Sequence, residues 1–368
     1  MRIALVVAGG VDRSGRERVI PVLLSLVERL ARRHDVRIYV LRYLEQPCTY
    51  SLLGATVHDL GRPRGIRRQY AALVEALERD GDAAVLHGYW GLPSGVVAVA
   101  AGRRLGIPSV VTCDSGEFVS VPDIEYGSQY RLRQRLAVST MCRYAKAITV
   151  GSEYQAGLAR ALGIEPTILP IGVDCSVFTP GSRSEGPPWR LLNVARQNPV
   201  KDQGTLLRAV RHLVSHGVDV HLDLVGEDTM DGAMPALAIE LGLQSHVTFH
   251  GFLPTDAVIP LYQQAHLAVL TSLHEAAPVS ILEAAACGTP VAGTAVGFVA
   301  DWGPERAVAV PRGADEPLAD AVQTLLENPL QREALARSAR EWVRAHDADW
   351  SADRVERLYV EVSKKSPG

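Results

Sequence analysis

The chain has 368 residues, more than the roughly 250–300 over which one hydrophobic core usually grows, so two domains are expected. With 47% hydrophobic and 21% charged residues, and Lys+Arg 38 against Asp+Glu 41, it has the make-up of a globular enzyme and lacks the basic excess on which nucleic-acid binders rely. Cys48, Cys113, Cys142, Cys175 and Cys287 are widely separated with no Cys-x-x-Cys pair, which fits a reducing cytoplasm.

The apolar run from Ile3 to Ala8 stops at Gly9-Gly10, too short for a signal-peptide core or a membrane span, and is expected to be a buried first strand. Short β-rich runs then alternate with longer amphipathic stretches, which predicts an α/β class with parallel sheets and helical crossovers. Strands are predicted at Ile3–Val7, Val36–Leu41, Ala84–Leu86, Ser109–Thr112, Ala147–Val150 and Thr167–Leu169, with helical patterns such as Arg16–Arg33 and Gly95–Leu105 between them. The pattern breaks in Pro180-Gly181-Ser182-Arg183-Ser184-Glu185-Gly186-Pro187-Pro188, a turn-forming linker. It restarts with strands near Leu191–Ala195, Val220–Val225, Val247–His250, Leu267–Leu270, Val291–Ala292 and Ala307–Val310. Three helical segments follow, interrupted at Asn328-Pro329 and around His346–Asp349. No repeat or low-complexity tract is visible.

In open parallel sheets ligands bind beyond the carboxyl ends of strands. After the first strand of the second half, Arg196 and Lys201 flank a strand-to-helix turn. A guanidinium and an ammonium near a helix N-terminus suit a diphosphate, although the pair alone is equally read as two solvated loop cations. After Leu267–Leu270, Glu275 lies on a loop and Glu283 early in the next helix, with seven residues between them. Carboxylates grip polyols by accepting from vicinal hydroxyls. Ser280 three residues before Glu283 also matches a capping box, which is the alternative reading of Glu283.

In the first half, Gly9 and Gly10 follow the first strand and would let backbone approach phosphates or a reacting sugar, or make a plain turn. His87, Tyr89 and Trp90 follow the third strand, where exposed aromatics would stack on an acceptor sugar and His87 would bond a hydroxyl; a structural role is equally open. Cys113-Asp114-Ser115-Gly116-Glu117 ends the Ser109–Thr112 strand, and Asp114 either binds a sugar or begins a turn.

Together these residues resemble the retaining glycosyltransferases of family four, and the resemblance covers essentially the whole chain. It is carried by Arg196 and Lys201, Val225-Gly226-Glu227, Gly251-Phe252-Leu253, Glu275 with Glu283, and Ala284-Ala285-Ala286-Cys287-Gly288-Thr289-Pro290-Val291, in that order. It implies the GT-B fold, two Rossmann-like domains facing each other across a deep cleft. Residues 1–180 would be the acceptor domain, 181–345 the nucleotide-sugar domain, and 346–368 a helix crossing back to the first domain. It further implies that Arg196 and Lys201 hold the diphosphate, Glu283 the ribose, Glu275 the sugar hydroxyls, the backbone near Phe252 the base, and the amides around the Ala277, Pro278, Val279 and Ser280 segment the phosphates. Gly9, Gly10 and Gly226 belong to the same donor set; His87, Tyr89, Trp90, Asp114 and Glu117 form the acceptor side. Where Asp114 stands, many family members have a His close to the reacting carbon, so the role carried to Asp114 is the departure from the pattern.

The implied reaction moves a hexose from a UDP- or GDP-linked donor to a glycan, lipid-linked or small-molecule acceptor with retention. No Asp-x-Asp follows a strand and the histidines are scattered, so no metal and no cofactor is expected. The rival readings are a catalytically inactive nucleotide-sugar-binding protein and a related GT-B phosphorylase or epimerase, because fold does not fix reaction. Arg62, Arg64, Arg67 and Arg68 precede a helix and are either a solvated face or a peripheral contact with the inner face of a membrane.

Overall fold

The computed structural model describes residues 1–364, which divide into two compact units: Met1–Ile171 with the C-terminal stretch from Ala348, and Gly172–Asp347. The sequence break expected at 180/181 lies nine residues past this division. Thr179 and Ser184 are tied to the second unit by Gln263 Nε2 at 2.8 Å and His266 Nε2 at 2.9 Å from their carbonyl oxygens.

The first unit runs β1 (Arg2–Val7), α1 (Pro21–Ala31), β2 (Asp35–Val40), β3 (Cys48–Leu52), β4 (Ala55–Asp59), α2 (Ile66–Asp80), β5 (Val85–Tyr89), α3 (Val96–Leu105), β6 (Ser109–Thr112), α4 (Leu132–Tyr144), β7 (Ala147–Val150), α5 (Glu153–Arg160) and β8 (Thr167–Ile168). Its sheet has the order β3-β4-β2-β1-β5-β6-β7-β8, parallel throughout except for the β3–β4 hairpin. Strand alternation explains why β1 is apolar from Ile3 to Val7. Ile3, Leu5 and Val7 enter one core with α1, while Ala4 and Val6 enter the other with α2 and α3, as a sheet covered on both faces requires. Two features depart from the sequence reading. Helix α1 starts at Pro21 rather than Arg16, because residues 11–19 fold into a turn closed by a Val11–Val19 bridge. The β3–β4 hairpin, whose strands carry few apolar residues, was not anticipated.

The second unit runs β9 (Trp189–Val194), α6 (Gln203–Ser215), β10 (Val220–Val225), α7 (Ala233–Glu240), β11 (Val247–Gly251), α8 (Thr255–Gln264), β12 (Leu267–Leu270), α9 (Val279–Ala286), β13 (Val291–Thr294), α10 (Gly297–Trp302), β14 (Ala307–Val310), α11 (Asp315–Glu327) and α12 (Pro329–Ala345). Its six-stranded parallel sheet has the order β11-β10-β9-β12-β13-β14. The chain leaves β9 toward β10 on one side and later returns to pair β12 on the other. The ends of β9 and β12 therefore form the topological switch point at which such sheets open a crevice.

The last helix, α13 (Ala348–Lys364), is part of the first unit. Val355, Tyr359 and Val362 join the α1 core, Arg29 Nε meets Asp349 at 2.7 Å, and Ser351 Oγ donates to Pro170 O at 2.8 Å. The Tyr359 hydroxyl lies 2.5 Å from His87 Nδ1, whose Nε2 is 2.8 Å from Thr112 Oγ1. Burial pulls the His87 imidazole down to about 3, so it is neutral and must use both nitrogens locally. Tyr359→Ala is expected to cost the first unit about 3–5 kcal/mol and Tyr359→Phe, which strands the imidazole, about 1–3 kcal/mol. Urea unfolding checks both; a Tyr359→Phe curve that matches wild type contradicts the role given to this bond.

Candidate active site

The loop after β9 is held by its own backbone. Ala195 N donates to Val225 O and Gln197 N to Glu227 O, both at 2.9 Å, while Gln203 Nε2 donates to Arg196 O at 3.2 Å. These bonds draw the turn after β10 so close that a Cβ on Gly226 would lie 2.0 Å from Ala195 O, and its φ is +145°; only glycine fits. Asn198 Oδ1 accepts from Lys201 N at 3.2 Å. Asp202, at φ +46°, caps α6 by accepting from Thr205 N at 3.3 Å and Thr205 Oγ1 at 2.7 Å.

The loop after β12 packs directly on this one. Leu273 N donates to Val200 O at 2.8 Å and Thr271 Oγ1 to Lys201 O at 3.0 Å. Lys201 Nζ and Glu275 Oε1 are 2.5 Å apart, with their side chains 24% and 11% exposed, and Ser272 Oγ donates to the same oxygen at 2.6 Å. Registered pairing of β9 with β12 covers Leu191 and Leu192; beyond them Asn193 Nδ2 bridges to Val269 O at 2.8 Å. The strands thus part where the crevice begins.

Arg196 meets Glu227 at 3.2 Å with both side chains more than half exposed, a weak pair that leaves the guanidinium able to swing. Helix α9 begins at Val279 behind Pro278 with no side chain capping it. Its first amides and the positive end of its dipole are therefore available to an anion. Ser280 lies inside this helix and is not its cap, so the capping-box reading of Glu283 does not hold. Glu283 Oε2 instead accepts from the Tyr262 hydroxyl at 2.8 Å, and burial pushes the carboxyl up to about 7, against the lowering effect of that hydroxyl. Ala277 and Val279 are half-buried beside Glu275 in sequence. Phe252, just after β11, is 57% exposed. Tyr262, Asn193, Ser272 and Glu227, which orient these groups, were given no role from sequence; for the first three no local motif links them to residues 3–76 positions away in the chain.

In the first unit, Gly10 at φ +85° closes the turn after β1, where a Cβ would lie 2.5 Å from Ile20 Cδ1. Tyr43 donates to Asp12 and Tyr50 to Val11 O at 2.7 Å, which orders the segment beyond Gly9. The expectation of exposed aromatics after β5 is corrected: His87 and Tyr89 are each 1% exposed, because β5 is central in the sheet and both rings stack inside it at 4.3 Å. Trp90 is half-buried. Glu117 is likewise turned inward. Its two carboxylate oxygens accept from Gly91 N and Ser115 N, each at 2.8 Å, and its own burial raises its pKa. It shapes the Asp114 loop and, 3% exposed, is turned away from the surface an acceptor would meet; Asp114 itself is half-buried. Arg62 is bound to Tyr43 O at 2.9 Å and Glu45 at 2.7 Å, whereas Arg64, Arg67 and Arg68 are exposed. Among the described residues no helix is long and apolar enough to cross a membrane.

Comparison with known proteins gives the family and the fold. Residues 179–342 match the family described as glycosyl transferases group 1, and residues 19–173 match the glycosyl transferase 4-like domain. A D-inositol 3-phosphate glycosyltransferase of Saccharomonospora viridis is 30% identical over 305 residues, 74% of this chain and 70% of that one. The chain belongs to this glycosyltransferase family. Another D-inositol 3-phosphate glycosyltransferase, from Mycolicibacterium gilvum, is 30% identical over 241 residues, which cover 61% of this chain and 53% of the relative; the match spans about half of that protein. For the fold, a sucrose-phosphate synthase of Thermosynechococcus elongatus superimposes with a TM-score of 0.82 at 20% identity, covering 98% of this chain and 99% of the other. HepE of Anabaena in complex with UDP-glucose does so with 0.77 at 18% identity, covering 98% and 100%. The chain therefore has the GT-B type of fold, with a sheet in the first unit that is parallel but for β3 and a fully parallel one in the second.

A carboxyl whose pKa rises from 4.5 to about 7 on folding binds more protons in the native state across that window, so its contribution to stability falls as pH rises through it. Glu283→Gln removes the dependence. In nucleotide-free protein the variant is expected to gain about 2 kcal/mol over wild type between pH 4.5 and 7.5. Urea unfolding at both pH values reads this gain, and a difference that stays flat with pH contradicts the assignment.

Proposed function

We propose that the protein transfers a hexose, with retention of anomeric configuration and without a metal ion, from a UDP- or GDP-linked donor to an acceptor hydroxyl. The observation that carries this reading is the convergence, at the β9/β12 switch point, of Lys201, Glu275 and the uncapped start of α9. A diphosphate in that crevice would meet the Lys201 ammonium, the Arg196 guanidinium and the α9 amides of Val279 and Ser280, which supply the positive charge that a metal ion would otherwise bring. Glu283 has one oxygen on Tyr262 and another for ribose hydroxyls. Glu275 accepts from the sugar, and the backbone around Gly226 and Phe252 borders the base. A relative of like fold, HepE, was obtained with UDP-glucose, which supports a uridine donor as the first to test.

The chemistry follows from what breaks. The bond from the anomeric carbon to the phosphate oxygen loosens, and negative charge grows on the diphosphate, where Lys201 and Arg196 stabilise it. The acceptor oxygen attacks on the same face, and its proton passes to the departing phosphate oxygen. No enzymic nucleophile is needed. Gly9 and Gly10 and the Asp114 loop, held by Glu117, line the acceptor side, with Trp90 as its half-buried aromatic. The acceptor classes are a glycan, a lipid-linked sugar or a small molecule, and exposed Arg64, Arg67 and Arg68 support contact with an anionic membrane surface.

Nucleotide release from UDP-glucose and GDP-mannose, with product anomers read by NMR, tests the proposal. Release is expected to persist in EDTA and to fall about 10²–10³-fold in Lys201→Ala. A strict requirement for Mg²⁺ or Mn²⁺ contradicts the metal-free mechanism, and donor binding without release on any acceptor contradicts transfer itself.

A further inference from the structure

The second unit carries a pocket of about 710 Å³ at the other end of its sheet, within the roughly 300–1,000 Å³ usual for small-molecule sites. Trp189, His266 and Pro290, which line it, stand at the starts of β9, β12 and β13, whereas the diphosphate loops follow the ends of β9 and β12. Three arginines share this pocket with them: Arg183 from the Pro180–Pro188 stretch, and Arg332 and Arg337 from α12.

Arg183 is half-buried. One guanidinium nitrogen donates to Thr289 Oγ1 at 3.1 Å and lies 3.4 Å from Gly288 O, while its buried Nε has no partner. Arg332 lies over the Trp189 ring at 5.0 Å and donates to Leu325 O at 2.7 Å and to Leu326 O. Neither guanidinium has a carboxylate within ion-pair distance among the described residues, and Arg337 is exposed without one. Burial first, and the nearby Arg332 charge second, lower the Arg183 pKa. The lining sets three guanidiniums against two carboxylates, Glu185 and Glu333, the latter close enough to act on Arg332, whose pKa burial lowers and the Glu333 charge raises in part. The remaining positive charge would be balanced by an oxyanion with several acceptor oxygens. His266, neutral or cationic by nature, adds no negative charge here, and its two ring nitrogens serve Arg190 N and Ser184 O. The carboxylates in the lining, Glu185 and Glu333, suit hydroxyl groups carried by the same ligand.

We propose that this pocket is an effector site for a phosphorylated sugar, its phosphate between Arg183, Arg332 and Arg337 and its hydroxyls toward Glu185 and Glu333. A short hydrogen-bonded path leads from it to the donor carboxylate. Arg183 donates to Thr289 Oγ1, Thr289 Oγ1 donates to Tyr262 O at 2.6 Å, and the Tyr262 hydroxyl donates to Glu283. A phosphate that draws Arg183 away from Thr289 loosens the residue that orients Glu283. The coupling part of the proposal rests on the donor reading of Glu283; the binding part does not.

Calorimetric titration of glucose 6-phosphate into the full chain saturated with UDP tests it, with inorganic phosphate and glucose as the other probes. Glucose 6-phosphate is expected to bind in the presence of UDP, inorganic phosphate more weakly and glucose not at all. Arg337→Gln, an exposed change that does not threaten folding, and Arg183→Gln are each expected to weaken binding about tenfold or more. Absence of binding by either phosphate at about 10 mM, or binding that UDP abolishes and Arg337→Gln and Arg183→Gln leave unchanged, overturns the site. If UDP itself fails to bind, the donor reading fails, while the glucose 6-phosphate titration without UDP still reports on the pocket. UDP affinity that is the same with and without glucose 6-phosphate overturns the coupling alone.

Discussion

The ion pair of Lys201 with Glu275 joins the two loops that leave the switch point of the second sheet, and the candidate site depends on it. Without a ligand, the ammonium is held by a carboxylate that Ser272 also serves. On the proposed donor reading, a diphosphate in the crevice would compete with Glu275 for the same ammonium, and the pair would hold the lysine oriented until it is exchanged for the anion. A charge-assisted contact at the edge of solvent suits this exchange, because it is strong enough to orient a side chain and cheap enough to break.

The surrounding structure serves to keep that geometry fixed. Backbone bonds from Ala195, Gln197 and Leu273 lock both loops, and the Gly226 close approach leaves no space for a side chain. Asn193 spans the gap where β9 and β12 part. On α9 itself, the raised Glu283 carboxyl is oriented by Tyr262, so the two acidic residues of the motif sit in unlike surroundings. One is paired with a cation and the other is held among buried neighbours with a single hydroxyl. In the first unit a neutral His87 and a buried Glu117 are spent on holding α13 and the Asp114 loop.

Much of this was legible in the sequence because it is local or periodic. Ser109–Thr112, Ala147–Val150, Val220–Val225, Leu267–Leu270 and Ala307–Val310 are strands where the apolar runs placed them, and the ordered motifs from Arg196 to Val291 identified the family that the comparisons show. What failed has a physical reason in each case. In the β3–β4 hairpin the edge strand β3 is largely unburied, and β4 buries polar His58 and Asp59, so the apolar signal fades in both. His87 and Tyr89 were read as following the strand Ala84–Leu86, with a structural role equally open, whereas β5 runs on through Tyr89 and includes both. The direction of a side chain at a strand end depends on neighbouring strands, and here a distant Tyr359 fills the space beside them. Ser280 and Glu283 have capping-box spacing, but spacing alone does not say where the helix begins; it begins behind Pro278, two positions too early for Ser280 to cap it. Pairings such as Tyr262 with Glu283, or Arg183 with Thr289, join positions that only the fold brings together.

The most direct test of the central claim is a calorimetric comparison of nucleoside diphosphate with nucleoside monophosphate, using uridine and guanosine series, on wild type and Lys201→Ala. If Lys201 is released from Glu275 to hold the diphosphate, wild type prefers the diphosphate by about tenfold or more and Lys201→Ala loses most of that preference while keeping the monophosphate affinity. An unchanged preference in Lys201→Ala, or no nucleotide binding by wild type, would contradict the account.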